Sequence, residues 1–172
     1  MVRIFILISL VFCGTLISCL YGIIHDQITY TISSEFYDLI RFPSLGISSE
    51  AARWGVVQIA IINSWKIGFI ISLILSCAGL IHFNNRKIIK FTLESFLVVV
   101  ITAVGTTCLG ILVGFFNQFH ETKLAETVVQ KSNFLLVQSI HNYTYIGGLI
   151  GMFVGIYWQF YNRKKQRNLI LK

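Results

Sequence analysis

The sequence is poor in charged residues and contains a single proline. Charged residues make up 12% of the 172 positions, whereas apolar residues make up 55%. Soluble domains carry about 25% charged residues on average, so this composition excludes an ordinary water-soluble domain and is typical of a membrane protein. Because proline interrupts helices, its only occurrence, Pro43, also leaves long stretches free to form continuous helices.

Four apolar stretches are long enough to cross a hydrocarbon core of about 30 Å, which needs about 20 helical residues. They cover approximately residues 4–24, 56–83, 91–116 and 134–160. The sequence therefore predicts an all-α fold, a membrane four-helix bundle. Because the four spans use most of the chain, we expect a single integral membrane domain over residues 1–172.

The basic residues lie mostly on one side of this threading. Arg3 precedes the first span, and most of the other basic residues lie in the connection after the second span and in the C-terminal tail. This bias predicts a multi-pass membrane protein with both termini in the cytoplasm. The net charge of +7 is then explained by basic residues that orient the protein in the membrane. The expected partner is the lipid bilayer rather than nucleic acid.

Cysteine patterns typical of redox or zinc sites are missing. The four cysteines lie in apolar runs without Cys-x-x-Cys spacing, so we interpret them as small packing residues. The segment Leu16-Ile17-Ser18-Cys19 resembles a bacterial lipoprotein signal. However, the apolar run continues through Ile24, where a signal core would stop after about 7 to 15 residues, so we expect the first helix to be retained.

Small residues recur at four-residue spacing in every span. This spacing allows close approach of membrane helices, whose association receives no hydrophobic drive from lipid. The residues expected at helix-packing faces are Gly14, Ser18, Gly22, Gly68, Gly110, Gly114, Gly147, Gly151 and Gly155. Ladders in all four spans favour a compact bundle.

The connection between the first two spans is too long for a simple turn, so we expect a structured outer loop. Residues Ile28 to Ile32 alternate between apolar and polar, as in a short strand or extended segment. Ser34 is expected to cap a short helix that presents Phe36 and ends before Pro43.

Three of the four histidines fall near the outer face of the predicted bundle. His25 and Asp26 are expected to end the first helix, and His141 lies about one turn inside the fourth span. His120 and Glu121 follow the third span. A histidine at membrane depth is costly without partners, which makes this set more informative than histidines on a soluble surface.

Glu35 and Tyr145 extend the set, because Glu35 can fold back from the outer loop and Tyr145 shares a helix face with His141. The candidate ligand or polar cluster comprises His25, Asp26, Glu35, His120, Glu121, His141 and Tyr145. Imidazole and carboxylate together suit a transition metal ion, with His25, His120 and His141 as the candidate ligands. The sequence has no His-x-x-x-His or His-Glu-x-x-His spacing, so it assigns no catalytic residue and leaves enzymatic activity open.

Short motifs around these residues resemble an uncharacterised group of small four-span bacterial membrane proteins. That group has a His-Asp-Gln-x-Thr segment after the first helix, a Glu-Tyr-Phe segment, a Trp-Gly start of helix two and a His-x-x-x-Tyr element in the last span. The matching segments here are His25-Asp26-Gln27-x-Thr29, Glu35-Phe36-Tyr37 with the aromatics exchanged, Trp54-Gly55, and His141-x-x-x-Tyr145. The resemblance supports the positions of the candidate residues and implies the bacterial cytoplasmic (inner) membrane as the location. It implies no activity.

Several functions stay open at this point. The cluster could bind a metal or small ligand, form a hydrogen-bonded structural cap, or receive a lipid headgroup. Alternatively, the chain is a non-catalytic structural or accessory subunit that binds a membrane protein partner or a second copy of itself. A small transporter is disfavoured because no span is interrupted by proline.

Overall fold

The structure is a computed structural model that describes residues 1–117 and 128–170. In chain order the elements are α1 (Val2–Ile32), α2 (Ser34–Phe36), a π-helical turn (Tyr37–Arg41), α3 (Phe42–Leu45), a 3-10 turn (Ser49–Ala51), α4 (Ala52–Gly79), α5 (Asn85–Asn117) and α6 (Lys131–Ile170). The described residues contain no strand, so the prediction of an all-α fold is confirmed for them.

Among the described helices, three are long and apolar enough to cross a membrane: α1, a stretch that contains α4, and α5. Their outward surfaces are apolar as well, since large side chains such as Phe5 and Phe12 on α1 are 73% and 66% exposed. The remaining long helix, α6, is more polar than these three helices. It carries Gln138, His141 and Asn142 in its first half and a basic stretch at residues 163–167 in its second half.

The four long helices pack as two close pairs, α1 with α4 and α5 with α6. Glycine permits the close contacts within each pair. A Cβ atom on Gly14 would lie 2.6 Å from the Cβ of Ser72 in α4, and one on Gly151 would lie 2.8 Å from the Cα of Val99 in α5. Atoms this close cannot coexist, so neither glycine can be replaced without moving a helix.

The other predicted packing residues lie at the same kinds of contact. In the α1–α4 pair, Gly22 faces Ser64 and Gly68 faces Ser18. In the α5–α6 pair, the small residues against the partner helix are Gly110, Gly114 and Gly147. Gly155 lies between the pairs, where its Cβ would meet both Leu75 of α4 and Ser95 of α5 at 3.2–3.3 Å.

Residues 33–51, which we call the upper segment, fold over one end of the four long helices. This end is called the upper end, and the turn at residues 80–84 marks the lower end. Phe36, Tyr37 and Phe42 of the upper segment are at most 4% exposed and pack in one apolar cluster with Val56, Ile59, Phe134 and Val137. The upper segment is therefore part of the core.

The prediction of an extended segment at Ile28–Ile32 is wrong, because α1 continues through it to Ile32. His25 and Asp26 consequently lie within a helix rather than at its end. The alternating threonines fit this helix because their hydroxyls donate to carbonyls one turn earlier: Thr29 to His25 at 3.1 Å and Thr31 to Gln27 at 2.9 Å.

The predicted short helix also differs in its boundaries. Ser33, not Ser34, is the N-cap, and its hydroxyl accepts a hydrogen bond from the backbone N–H of Phe36 at 3.3 Å. The helical path does not end before Pro43, because this proline lies in the first turn of α3, where its missing N–H is tolerated. Helix α3 ends at Gly46, whose φ of 65° is in the left-handed region that favours glycine.

Candidate functional site

Two histidines from different helices meet beneath the upper segment. His25 lies on α1 and His141 on α6, and their ring centroids are 4.9 Å apart in a T-shaped arrangement. His25, His141 and the neighbouring Asp26 are each no more than 9% exposed. The structure thus brings together three of the seven candidate residues, and their ligand atoms all lie within 4.8 Å of one another.

The Asp26 carboxylate lies between the two imidazole rings. Its Oδ1 atom is 3.0 Å from Nδ1 of His25 and 4.0 Å from Nδ1 of His141. The same nitrogen of each ring therefore faces the same carboxylate oxygen. A buried carboxylate is stable only with a compensating positive charge or hydrogen-bond donors, so this shared oxygen defines the electrostatic centre of the site.

The outer nitrogen of His25 contacts a chain of hydroxyl groups. Nε2 of His25 is 3.0 Å from Oγ1 of Thr144, which is 2.6 Å from Oγ1 of Thr107 on α5. The Tyr21 hydroxyl lies 3.4 Å from the same Thr107 oxygen. The hydroxyls of Thr144 and Thr107 also reach carbonyl oxygens of their own helices, at 2.9 Å and 2.8 Å.

The outer nitrogen of His141 faces a second pair of hydroxyls. Its Nε2 atom lies 3.4 Å from the Tyr37 hydroxyl and 3.5 Å from Oγ1 of Thr29, and these two oxygens are 2.6 Å apart. The Tyr37 hydroxyl donates to the backbone carbonyl of Asp26 at 3.1 Å. Burial, followed by the nearby Asp26 carboxylate, raises the pKa of Tyr37 well above its usual range, so this phenol stays protonated.

An aromatic ring of the upper segment covers the site. Phe36 stacks on the His141 imidazole with centroids 5.3 Å apart and planes within 16°, and it also packs edge-on against Phe134 at 5.3 Å. The Arg41 guanidinium lies 5.6 Å from the centre of the Phe36 ring. Phe36 thus packs against the buried His141 imidazole and lies beside the partly buried Arg41 side chain.

The remaining candidate residues have other positions. The Glu35 carboxylate accepts hydrogen bonds from the backbone N–H groups of Val129 and Gln130 at 2.6 and 2.9 Å, just before α6 begins, so it anchors the upper segment to that helix. Tyr145 is 41% exposed and lines a cavity below the histidines. The other two predicted residues, His120 and Glu121, lie outside the described residues.

This cavity has a volume of about 250 Å³ and lies between the two helix pairs. All four long helices line it. His25, Asp26 and His141 form its upper end, and Gly14, Ser72 and Phe96 lie at its lower end. The three residues of the site are thus covered on one side by Phe36 and open on the other into an apolar space.

Sequence reasoning did not select the hydroxyl groups that contact the histidines. Thr29 lies four residues after His25, and Thr144 lies three residues after His141, so helical spacing was the available signal for both. Tyr37 carried no comparable signal, because its approach to His141 depends on how the upper segment folds over the helices.

No family model, curated protein or solved structure matches the chain. The functional argument therefore rests on the geometry of the site and on the chemistry of its side chains.

Proposed function

We propose that the protein is a four-span integral protein of the bacterial inner membrane, with both termini and the lower end in the cytoplasm. The apolar outer surfaces of α1, α4 and α5 support this placement, because a soluble monomer rarely exposes continuous apolar surface of this extent. Since α6 packs along α5 through its glycine ladder, it crosses the membrane with α5.

Basic side chains at the lower end fit a cytoplasmic boundary. Arg3 donates to the backbone carbonyl of Phe83 at 2.7 Å, and the Arg163 guanidinium lies 3.6 Å from the centre of the Phe83 ring. From Arg3 to His25 the helix rises about 33 Å, close to the thickness of a hydrocarbon core. With Arg3 at the cytoplasmic boundary, His25 would therefore lie at the outer edge of the membrane.

Within this protein, His25, Asp26 and His141 form a binding site for a transition metal ion. The observation that carries this proposal is that both Nδ1 atoms face the same Asp26 oxygen, at 3.0 and 4.0 Å. Zinc and related ions bind imidazole nitrogen and carboxylate oxygen at about 2.0–2.2 Å, so an ion between these atoms needs only small side-chain movements.

The hydroxyl groups behind the rings fit the same assignment. Metal-binding histidines commonly donate their second ring N–H to an oxygen, which directs the other nitrogen toward the metal. In His25 the oxygen available to Nε2 belongs to Thr144, and in His141 it belongs to Tyr37 or Thr29. The hydrogens of these hydroxyls have other acceptors nearby, including backbone carbonyls, so the oxygens are free to accept from Nε2.

With Nε2 protonated in both rings, two nitrogen lone pairs and a carboxylate oxygen converge without a hydrogen atom among them. Only a cation stabilises this arrangement, and a divalent metal ion supplies both charge and coordination. Three protein ligands leave a further coordination position open, as in metal sites that bind substrate or water. The three residues border the apolar cavity, so an open position on that side would be accessible from it.

The test is metal analysis of purified protein after incubation with zinc and removal of excess ion. We expect about one metal ion per chain in the wild type and less than a tenth of that in His141→Ala. His82→Gln is the matched control, because His82 is also fully buried but lies at the lower end. It should retain wild-type metal content.

A wild type that stays metal-free across zinc, copper, nickel and iron, while His141→Ala lowers its thermal stability, would overturn the metal assignment. In that outcome His25 and Asp26 form a hydrogen-bonded pair, and the cluster is a structural cap, as expected for an accessory subunit.

A further inference from the structure

The cavity beneath the three site residues has the length and chemistry of a channel for one hydrocarbon chain. It extends along α1 from His25 down to Gly14, which corresponds to about 16 Å at a rise of about 1.5 Å per residue. Its volume of about 250 Å³ exceeds that of a ~150 Å³ apolar cavity that stays dry and binds benzene.

The walls of this cavity are apolar along most of its length. Large apolar side chains line it below the histidines, among them Ile17, Ile67, Ile71, Phe96 and Val99. Two serines on the wall are already satisfied, because Ser18 donates to the backbone carbonyl of Ser64 and Ser72 donates to that of Gly68. The other polar residues of the lining lie in its upper half: Tyr21, Asn63, Ser64, Thr144 and Tyr145.

Gly148, which lies between the helix pairs, differs from the glycines that pack within each pair. Most glycines of the ladders face a partner helix at contact distance. A Cβ atom on Gly148 of α6 would instead meet only Ile71 Cδ1, at 3.9 Å, within the cavity lining. The missing side chain at Gly148 thus keeps space open between the pairs.

We propose that this cavity binds the hydrocarbon tail of a single-chain amphiphile whose head carries a hydroxyl or carbonyl oxygen, and that this oxygen occupies the open position at His25, Asp26 and His141. The head assignment rests on the metal site proposed above, whereas the tail assignment rests on the cavity alone. The lower half of the cavity offers water few hydrogen-bond partners, and the surrounding bilayer is the available source of an amphiphile.

The charge of the bound metal ion decides how an anionic head compares with a neutral one. In the metal-free site, a fatty acid would bring a second carboxylate beside Asp26, and like charges at such distances destabilise each other. A divalent ion reverses this order, because its charge exceeds that of Asp26 and attracts a second carboxylate. An alcohol or carbonyl oxygen is a ligand for a metal ion and a hydrogen-bond partner for imidazole in either state, so the probe of the cavity is a long-chain alcohol.

The test uses alkyne-tagged hexadecanol with a photoreactive diazirine at the middle of its chain. The probe is irradiated with purified protein in detergent, and labelled peptides are identified by mass spectrometry. We expect labelling of α1 and α4 peptides that contain Ile17 and Ile71, and suppression of this labelling by at least tenfold with excess untagged hexadecanol. Palmitate in the same excess should compete at least as well as hexadecanol with metal-loaded protein, and several-fold less well with metal-free protein.

Two leucine substitutions distinguish labelling inside the cavity from labelling of the outer surface. Gly148→Leu places a side chain in the cavity and should reduce saturable labelling at least fivefold. Gly105→Leu is the matched control, because a Cβ at Gly105 meets no atom within 4 Å, and it should label like the wild type. If Gly148→Leu does not yield folded protein, Val100→Phe fills the cavity from α5 instead.

Non-saturable labelling, or equal labelling of Gly148→Leu and Gly105→Leu, would overturn the cavity assignment.

The metal site is tested separately by repeating the labelling after chelation. Saturable labelling of a chain that binds no metal would support the tail assignment while the proposed metal site fails. A chain that binds metal but shows no saturable labelling would support the metal site while the tail assignment fails. A tagged diazirine alkane without a head oxygen should label at least fivefold less than the alcohol in metal-loaded protein, and equal labelling would overturn the head assignment.

Discussion

The imidazole rings of His25 and His141 lie 4.9 Å apart although they belong to the first and last long helices of the chain. Both rings reach the same carboxylate, that of Asp26, through Nδ1. Because each histidine is on a different helix pair, the site links the two pairs at their upper end. Changes at this site are therefore expected to affect both ligand binding and the relative stability of the pairs.

Removal of the Tyr37 hydroxyl tests the support of His141. In Tyr37→Phe, Nε2 of His141 and Oγ1 of Thr29 lose a partner, and the Asp26 carbonyl loses a donor. We expect a loss of about 1–3 kcal/mol in stability, as for buried polar groups left unsatisfied. Metal affinity should fall about 10- to 100-fold, as is typical when a group that orients a ligand is removed.

Tyr30→Phe is the control for this variant, because Tyr30 packs against the Tyr37 ring at 5.4 Å without contacting His141. Thermal unfolding in detergent and metal titration would be measured for both variants. Equal metal affinities for the two would show that the Tyr37 hydroxyl does not orient His141.

A larger residue at Gly151 should separate α5 from α6. Its Cβ would lie 2.8 Å from the backbone Cα of Val99, so even Gly151→Ala requires helix movement, and Gly151→Leu requires more. Overpacking of this kind costs about 1–3 kcal/mol or more. Gly105→Leu on α5 is the control. If both variants have the same unfolding temperature in detergent, the α5–α6 contact at Gly151 contributes little to stability.

Loss of the Glu35 carboxylate should loosen the upper segment. Its oxygens accept from the backbone N–H groups of Val129 and Gln130 at 2.6 and 2.9 Å. In Glu35→Ala we expect faster amide hydrogen exchange at these two residues and a loss of about 1–3 kcal/mol in stability. Metal content should stay at the wild-type level, because Glu35 is not a ligand in our assignment.

Glu50→Ala removes an exposed carboxylate from the same connection and serves as the control for Glu35→Ala. Loss of bound metal in Glu35→Ala, with metal retained in Glu50→Ala, would instead make Glu35 a ligand.

The proposed orientation is tested with reporter fusions at the ends of the helices. The excess of Lys and Arg at the lower end predicts cytoplasmic signals for fusions at Lys172 and near Asn85. A fusion near Gly46, in the upper segment, should give a periplasmic signal. A periplasmic signal at Lys172 would place the termini on opposite sides, or invert the protein, and would remove the site from the outer face.

Much of the helical architecture follows from local sequence. Apolar runs longer than 20 residues predicted the long helices, and four-residue spacing of small residues such as Gly14 and Gly151 predicted faces that pack against a neighbouring helix. Both signals are properties of a single helix: its hydrophobic length and the narrowness of one face. They need no knowledge of the partner. The boundaries were less accurate, because α1 extends beyond its apolar run to Ile32 through threonines that bond to their own helix.

The contacts of the site were decided by tertiary structure. From the sequence, His25 and His141 were candidate metal ligands, and Glu35 and Tyr145 were further members of the candidate polar cluster near the same face. Only the packing of the two helix pairs put His25 and His141 on one carboxylate, directed Glu35 to the start of α6, and left Tyr145 on the cavity wall. Sequence spacing determines which residues share a face of one helix, whereas the rotation and separation of helices depend on side chains far apart in the chain.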